Sequence, residues 1–336
     1  MRRRRALTAL LLLAACGRDL TRGSPTEPSG EYPTDPAQAQ LVVSDVDRYW
    51  RAYDAGGRSG NSTVIQRRYL DSASAGLREF ITLRQLTASN VAQAAATYPA
   101  YFDALRAWWS TTPDRTAVLG TIRANYAKLK QLYPTAFFPP VTVLVGRYST
   151  AGTAGTSGLL VGFEFFGKDA NAPLGALNSF ARDNQKSWAT DLPPLVAHEH
   201  THYLSLRAGA TTARNGAPLY ARVLHEGVAE FIGELVSGRP SYLDFFRVWQ
   251  ANEATYYAEF VQEKDGTDVS RWLYNQGSAN GGRPGDLGYF IGYRIAQAYY
   301  NRAADKAQAV RELIELTNAA AILAQSGYTG SGPNIP

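Results

Sequence analysis

Apolar residues recur at helical spacing along most of the chain and form a β-branched run near its middle. Leu41, Val42, Val46, Tyr49, Trp50 and Tyr53 predict a helix ending at Gly56-Gly57. Val64, Ile65 and Tyr69, then Leu77, Phe80, Ile81 and Leu83, predict two shorter helices, and residues 89–109 and 114–132 two longer ones. The texture changes at Phe137-Phe138-Pro139-Pro140. Val141 to Val145 reads as a strand, 146–158 as a Gly/Ser/Thr loop and 159–166 as a second strand. Helical spacing then returns. Asp191, Pro193 and Pro194 mark the start of one helix and Gly209 its end. Further helices are expected around 224–236, over 241–263, from Leu287, and over 305–316 and 318–326, with a loop at 275–286. The expected fold class is α+β: mostly helical, with a small sheet preceding the Asp191 helix. Trp108-Trp109 and Tyr101-Phe102 fall at core spacing and read as packing aromatics.

The amino terminus follows a different pattern. Residues 2–5 are four arginines, 6–15 (ALTALLLLAA) are apolar, and Cys16 follows. Ten apolar residues are too few to cross a bilayer core, which needs about 20, and the order matches a secretion signal over 1–15. Leu13-Ala14-Ala15-Cys16 resembles a bacterial lipobox. That resemblance implies cleavage before Cys16 and lipid attachment to it, with the protein held at the cell envelope and the outer membrane the milder preference. Cys16 is the single cysteine, so no disulfide framework exists and the fold must rest on its core. The formal charge of +5 is mostly that of the four arginines, which leaves little support for a nucleic-acid partner. Residues 16–37 are rich in Pro, Gly, Ser and Thr and read as a flexible tether. The expected organisation is signal 1–15, tether 16–37, helical region 38–135 and catalytic domain 136–330.

The chemistry concentrates in one stretch. All four histidines, at 198, 200, 202 and 225, lie within 28 residues, and His198-Glu199-xx-His202 reads H-E-x-x-H. On a helix, His198 and His202 share one face and can reach one metal ion, while Glu199 is placed to take a proton from a water there. A catalytic zinc site wants a third protein ligand. Leu224-His225-Glu226-Gly227-Val228-Ala229-Glu230 offers Glu226 and Glu230 on one face of a second helix. Glu226 is the preferred ligand, ahead of Glu230 and His225, and Glu230 is expected to accept the N–H of a ligand histidine. GTAGTSG lacks the lysine of a phosphate loop and carries no such reading.

HEHTH followed by LHEGVAEFIGE resembles the gluzincin metallopeptidases, whose third zinc ligand is a downstream helical glutamate. With GRPGDLGYFIGYRIAQAYY added, the chain looks like the bacterial predicted zinc-dependent proteases that include gliding-motility-type lipoproteins, over roughly 140–330. His225 stands where the thermolysin pattern has asparagine. The resemblance implies a zincin-like fold, Zn²⁺ as cofactor, a peptide or protein as substrate, and a sheet edge that binds substrate backbone, for which the second strand, 159–166, is the candidate. It also implies a tyrosine or histidine for the tetrahedral oxyanion, for which Tyr289 and Tyr293 are the candidates. Glu164, 34 residues before His198, is read as an ordinary strand carboxylate rather than an amino-terminus cap.

The expectation is zinc-dependent peptide hydrolysis by a membrane-anchored lipoprotein. A non-catalytic envelope lipoprotein using a zincin scaffold and an aminopeptidase are the alternatives.

Overall fold

Ser74, Thr87 and Asp114 each accept a hydrogen bond from the backbone N–H three residues ahead, at 3.2, 3.2 and 2.8 Å, and each opens a helix. The structure, a computed structural model, describes residues 32–335 apart from 112 and 277–281. The expected signal, Cys16 and most of the tether lie outside the described residues. The first helices are α1 (Ser44–Asp54), α2 (Ser62–Ile65), α3 (Ala75–Arg84), α4 (Ala88–Thr97), α5 (Pro99–Ser110) and α6 (Arg115–Leu132). Two differ from expectation. Leu41–Val42 is not the first turn of α1 but a short strand, β1, paired in parallel with Val141-Thr142. The long helix expected over 89–109 is two helices, because Pro99 supplies no N–H to continue the first and instead opens the second.

The sheet continues with β2 (Val141–Leu144), β3 (Gly152–Gly155) and β4 (Gly158–Gly162), in the order β1-β2-β4-β3. β4 runs parallel to β2 and antiparallel to β3. The second apolar strand is therefore interior, not the edge. The edge is β3, formed by glycine, threonine and alanine inside the stretch expected to be loop. Glycine and alanine carry little strand propensity, and pairing with β4 decides the matter. Glu79 of α3 fixes the β3–β4 turn, accepting from the backbone N–H groups of Thr156 at 2.6 Å and Ser157 at 2.7 Å.

The remaining helices are α7 (Ser179–Asp183), α8 (Trp188–Arg207), α9 (Leu219–Ser237), α10 (Leu243–Trp249), α11 (Glu253–Glu263), α12 (Leu287–Arg302), α13 (Lys306–Glu315) and α14 (Ala319–Ser326). The helix expected over 241–263 is α10 and α11 joined by a 3-10 turn at Gln250–Asn252. α8 begins a turn before Asp191. Asp191 Oδ2 accepts from Ser187 N at 2.7 Å and Asp169 Oδ2 from Trp188 N at 2.6 Å, so side chains satisfy the first N–H groups and the prolines fall inside the helix.

The chain is α+β, mostly helical with one four-stranded sheet before α8. α8 packs against α9, β3, β4 and α6, which buries every residue from Leu192 to Ser205. Trp109, Trp188 and Phe163 pack edge to face in the core, as the aromatic spacing foretold. The apolar core runs without a break from Val46 and Leu77 to Ile314. No helix among the described residues is long and apolar enough to cross a membrane.

Candidate metal centre

The approach of α9 to α12 sets the depth of the site. A Cβ at Gly227 would overlap the backbone of Gly292 and Tyr293, and one at Gly292 would overlap the carbonyl of Val223. The two helices therefore touch backbone to backbone. This draws Glu226, the neighbour of Gly227, under α8, and draws the first turns of α12 against the same site.

There His198, His202 and Glu226 converge. His202 Nε2 lies 3.0 Å from His198 Nε2 and 3.1 Å from Glu226 Oε2, and the remaining edge, His198 Nε2 to Glu226 Oε2, is 3.8 Å. Ligands at ~2.0–2.1 Å on a tetrahedron stand about 3.3 Å apart. Three donor atoms of the right kinds thus form a face of the right size, and this group can hold a metal ion. The charge balance agrees. Burial alone would lower the pKa of His198, but the charge and hydrogen bond of Glu230, with Glu199 and Glu226 nearby, raise it to about 9. Burial would raise that of Glu226, yet His202, His225 and His198 pull it well below the usual carboxylate range. The carboxylates thus favour positive charge at this cluster.

Around this triangle His198 and Glu226 each have a polar partner. Glu230 Oε1 lies 2.7 Å from His198 Nδ1, and its carboxylate also accepts from Ser241 Oγ and from Tyr242 N at 3.2 Å. A carboxylate on Nδ1 leaves Nε2 free of hydrogen as a ligand. Tyr274 donates its hydroxyl to Glu226 Oε1 at 2.7 Å. Its backbone is left-handed, with φ 61°, a conformation uncommon for a residue with a bulky side chain. Nothing in the sequence pattern singled out Tyr274; it stands 48 residues from Glu226 beside a loop. His225 stays out of the triangle. Its ring stacks on His202 at 4.3 Å between centroids, its Nδ1 meets Thr212 Oγ1 at 3.2 Å, and burial lowers its pKa to about 3. His200 turns the other way, its Nε2 2.8 Å from the carbonyl of Phe137.

Glu199 faces a cleft that it lines together with His198, Ser149 to Gly152, Lys186, Tyr274 and Tyr289. Edge strand β3 crosses directly over its carboxylate: a Cβ at Gly152 would stand 2.5 Å from Glu199 Oε1. Burial raises the Glu199 pKa against the pull of His198 and His202, the direction a general base needs. The two candidate tyrosines part company. Tyr289 lines the cleft, stacked on Tyr242 at 4.8 Å and lying flat toward His198 at 6.3 Å. Tyr293 does not: it donates to Glu234 Oε2 at 2.5 Å, accepts from Gln297 at 3.0 Å, and packs on Phe231 and Phe246. One helical turn separates them, and the backbone contact at Gly292 fixes which one faces the cleft. Glu164 is fully buried and accepts from Gly146 N at 2.9 Å and Tyr148 N at 3.0 Å, which shapes the loop entering β3.

Residues 172–323 match the model of a family described as a predicted Zn-dependent protease, DUF2268, and this span carries His198, Glu199, His202, Glu226, Glu230, Tyr274 and Tyr289. No curated protein and no solved structure matches the chain.

Proposed function

We propose that the protein is a zinc peptidase of the gluzincin type, on a zincin-like scaffold, with His198, His202 and Glu226 as the metal's protein ligands. The observation that carries this reading is the triangle of three donor atoms beside a buried, otherwise unpartnered carboxylate oxygen of Glu199 at the cleft. A bound zinc ion supplies Lewis-acid polarisation of a carbonyl and acidifies water. The chain's own groups do the rest. Glu199 takes a proton from the attacking water and passes it to the leaving amine. Glu230 holds His198 in its ligating tautomer, and Tyr274 orients Glu226. Tyr289 is the nearest candidate donor for the oxyanion, and Tyr293 is set aside. An extended substrate backbone lies along Ser149 to Gly152, where the sheet edge enters the cleft.

The reading extends to location: lipid on Cys16 anchors the protein at the cell envelope, and peptide or protein substrates reach it there. Cys16→Ser tests this through detergent partition and the mass of the amino terminus; unchanged values remove the anchor.

The catalytic claim is tested with Glu199→Gln. The variant should keep zinc and fold while losing at least ~10²–10⁴ in peptide turnover, the usual contribution of general acid–base catalysis. His202→Ala should lose metal and activity together. A wild-type protein that binds zinc and cleaves nothing in a diverse peptide library overturns the peptidase reading.

A further inference from the structure

Lys186 is the single lysine or arginine among the described residues lining the cleft that holds His198 and Glu199. Its backbone is fixed just before α8: Lys186 N donates to Phe165 O at 2.7 Å, and its carbonyl accepts from Lys168 N at 3.3 Å. The side chain reaches toward the Tyr242 ring, with Nζ 6.0 Å from the centroid. No carboxylate among the described residues lies within ion-pairing distance of that ammonium.

The two acids that act on it most strongly, Asp191 and Glu230, are already committed. Asp191 pairs with Arg239 at 3.1 Å and accepts from Ser187 N. Glu230 serves His198, Ser241 and Tyr242 N. Partial burial also pulls the Lys186 pKa below its usual value, and the half-buried ammonium has no carboxylate partner among the described residues to offset that cost. A charge in that condition gains most from an arriving carboxylate. A second group points to the same class of ligand. Gln276 lines the cleft, is 9% exposed, and neither its side-chain oxygen nor its nitrogen has a hydrogen-bond partner among the described residues. One donor and one acceptor side by side complement a peptide unit.

We propose that the cleft selects peptides carrying a carboxylate, which Lys186 binds, and that this contact sets the position of the peptide relative to His198, His202 and Glu226. The proposal rests on the peptidase reading and names its substrate class. The carboxylate has two sources, an Asp or Glu side chain or the free carboxyl terminus.

The experiment uses the full-length, zinc-loaded protein. Fluorescent peptides carry Glu or the isosteric Gln at each position in turn, with the carboxyl terminus free or amidated. Turnover is measured with wild type, and binding by anisotropy with Glu199→Gln, which holds peptides uncleaved. At one position, or at the terminus, the acid should exceed its amide by about 10–100-fold, the scale of one charge-assisted contact. A Glu-over-Gln effect assigns the side chain, and a loss on amidation assigns the terminus. Lys186→Met should abolish the ratio, Lys186→Arg should keep it, and Lys186→Glu should reverse it toward lysine-containing peptides. Zinc content and circular dichroism report that each variant is folded.

Cleavage with no acid preference anywhere, or a preference that survives Lys186→Met, overturns the proposal and leaves the peptidase reading standing. Lys186-dependent binding of acidic peptides without turnover supports the proposal while the hydrolytic reading falls. Absence of both binding and turnover overturns both.

Discussion

Tyr274 donates to one oxygen of Glu226 at 2.7 Å while the other oxygen faces His202 Nε2 at 3.1 Å. The carboxylate is thus held from both sides, with one oxygen occupied and one turned to the metal triangle. Tyr274→Phe removes the hydroxyl and keeps the ring. Zinc affinity, measured by chelator competition, should drop about 10–100-fold, the usual scale for a partner of a ligand. Unchanged affinity would mean that Tyr274 does not orient Glu226.

Glu226 and Glu230 should separate cleanly in the same assay. Glu226→Ala removes a proposed ligand and should strip zinc at ordinary concentrations. Glu230→Ala removes only the partner of His198 Nδ1 and should cost about 10–100-fold. If Glu230→Ala strips zinc and Glu226→Ala does not, the ligand assignment is reversed.

The backbone contact between α9 and α12 predicts opposite outcomes for two chemically identical substitutions. Gly292→Ala forces the helices apart and should destabilise the protein by about 1–3 kcal/mol or more, the cost of overpacking. Gly120→Ala lies in α6, where a Cβ meets nothing within 4 Å, and should stabilise by about 0.5–1 kcal/mol. Chemical denaturation of both variants decides it; equal shifts would remove the crossing as a constraint.

Glu164 gives a pH signature away from the metal. Burial raises its pKa from the ordinary 4.5 to about 7, against the pull of the Gly146, Glu164 and Tyr148 backbone hydrogen bonds. A folded-state pKa above the unfolded one stabilises fully below about 4.5, and the stability is lost as pH rises through about 7. Asp286, also raised to about 7 by burial, adds the same sign. Gln imitates the protonated carboxyl. Glu164→Gln should therefore gain on wild type between pH 5 and pH 8, by on the order of 2 kcal/mol. A gap between the two proteins that is the same at both pH values counts against the buried-carboxylate account.

The helices and the metal triangle were legible because each has a local signature. His198 and His202 share a helical face by spacing alone, and Glu226 follows from the same periodicity on the next helix. The parts that escaped depend on partners distant in sequence. β3 is mostly glycine and alanine, weak strand formers, and exists through its pairing with β4. Leu41 and Val42 fit a helical register, yet pairing with β2 makes them a strand. Tyr289 and Tyr293 are indistinguishable by spacing, and only the crossing at Gly292 separates them. Tyr274 and Lys186 belong to no motif, and their roles arise from which surfaces the fold brings together.

Every proposed donor to the metal lies within residues 172–323, whereas Gly152, which roofs Glu199, and Glu79, which clamps the turn beyond it, come earlier in the chain. The proposed reactive groups and the wall over Glu199 thus come from separate stretches of polypeptide. A substitution before residue 172 can change which molecules enter while leaving the reactive groups in place. An excised 172–323 fragment would retain the ligands but leave its base uncovered to solvent.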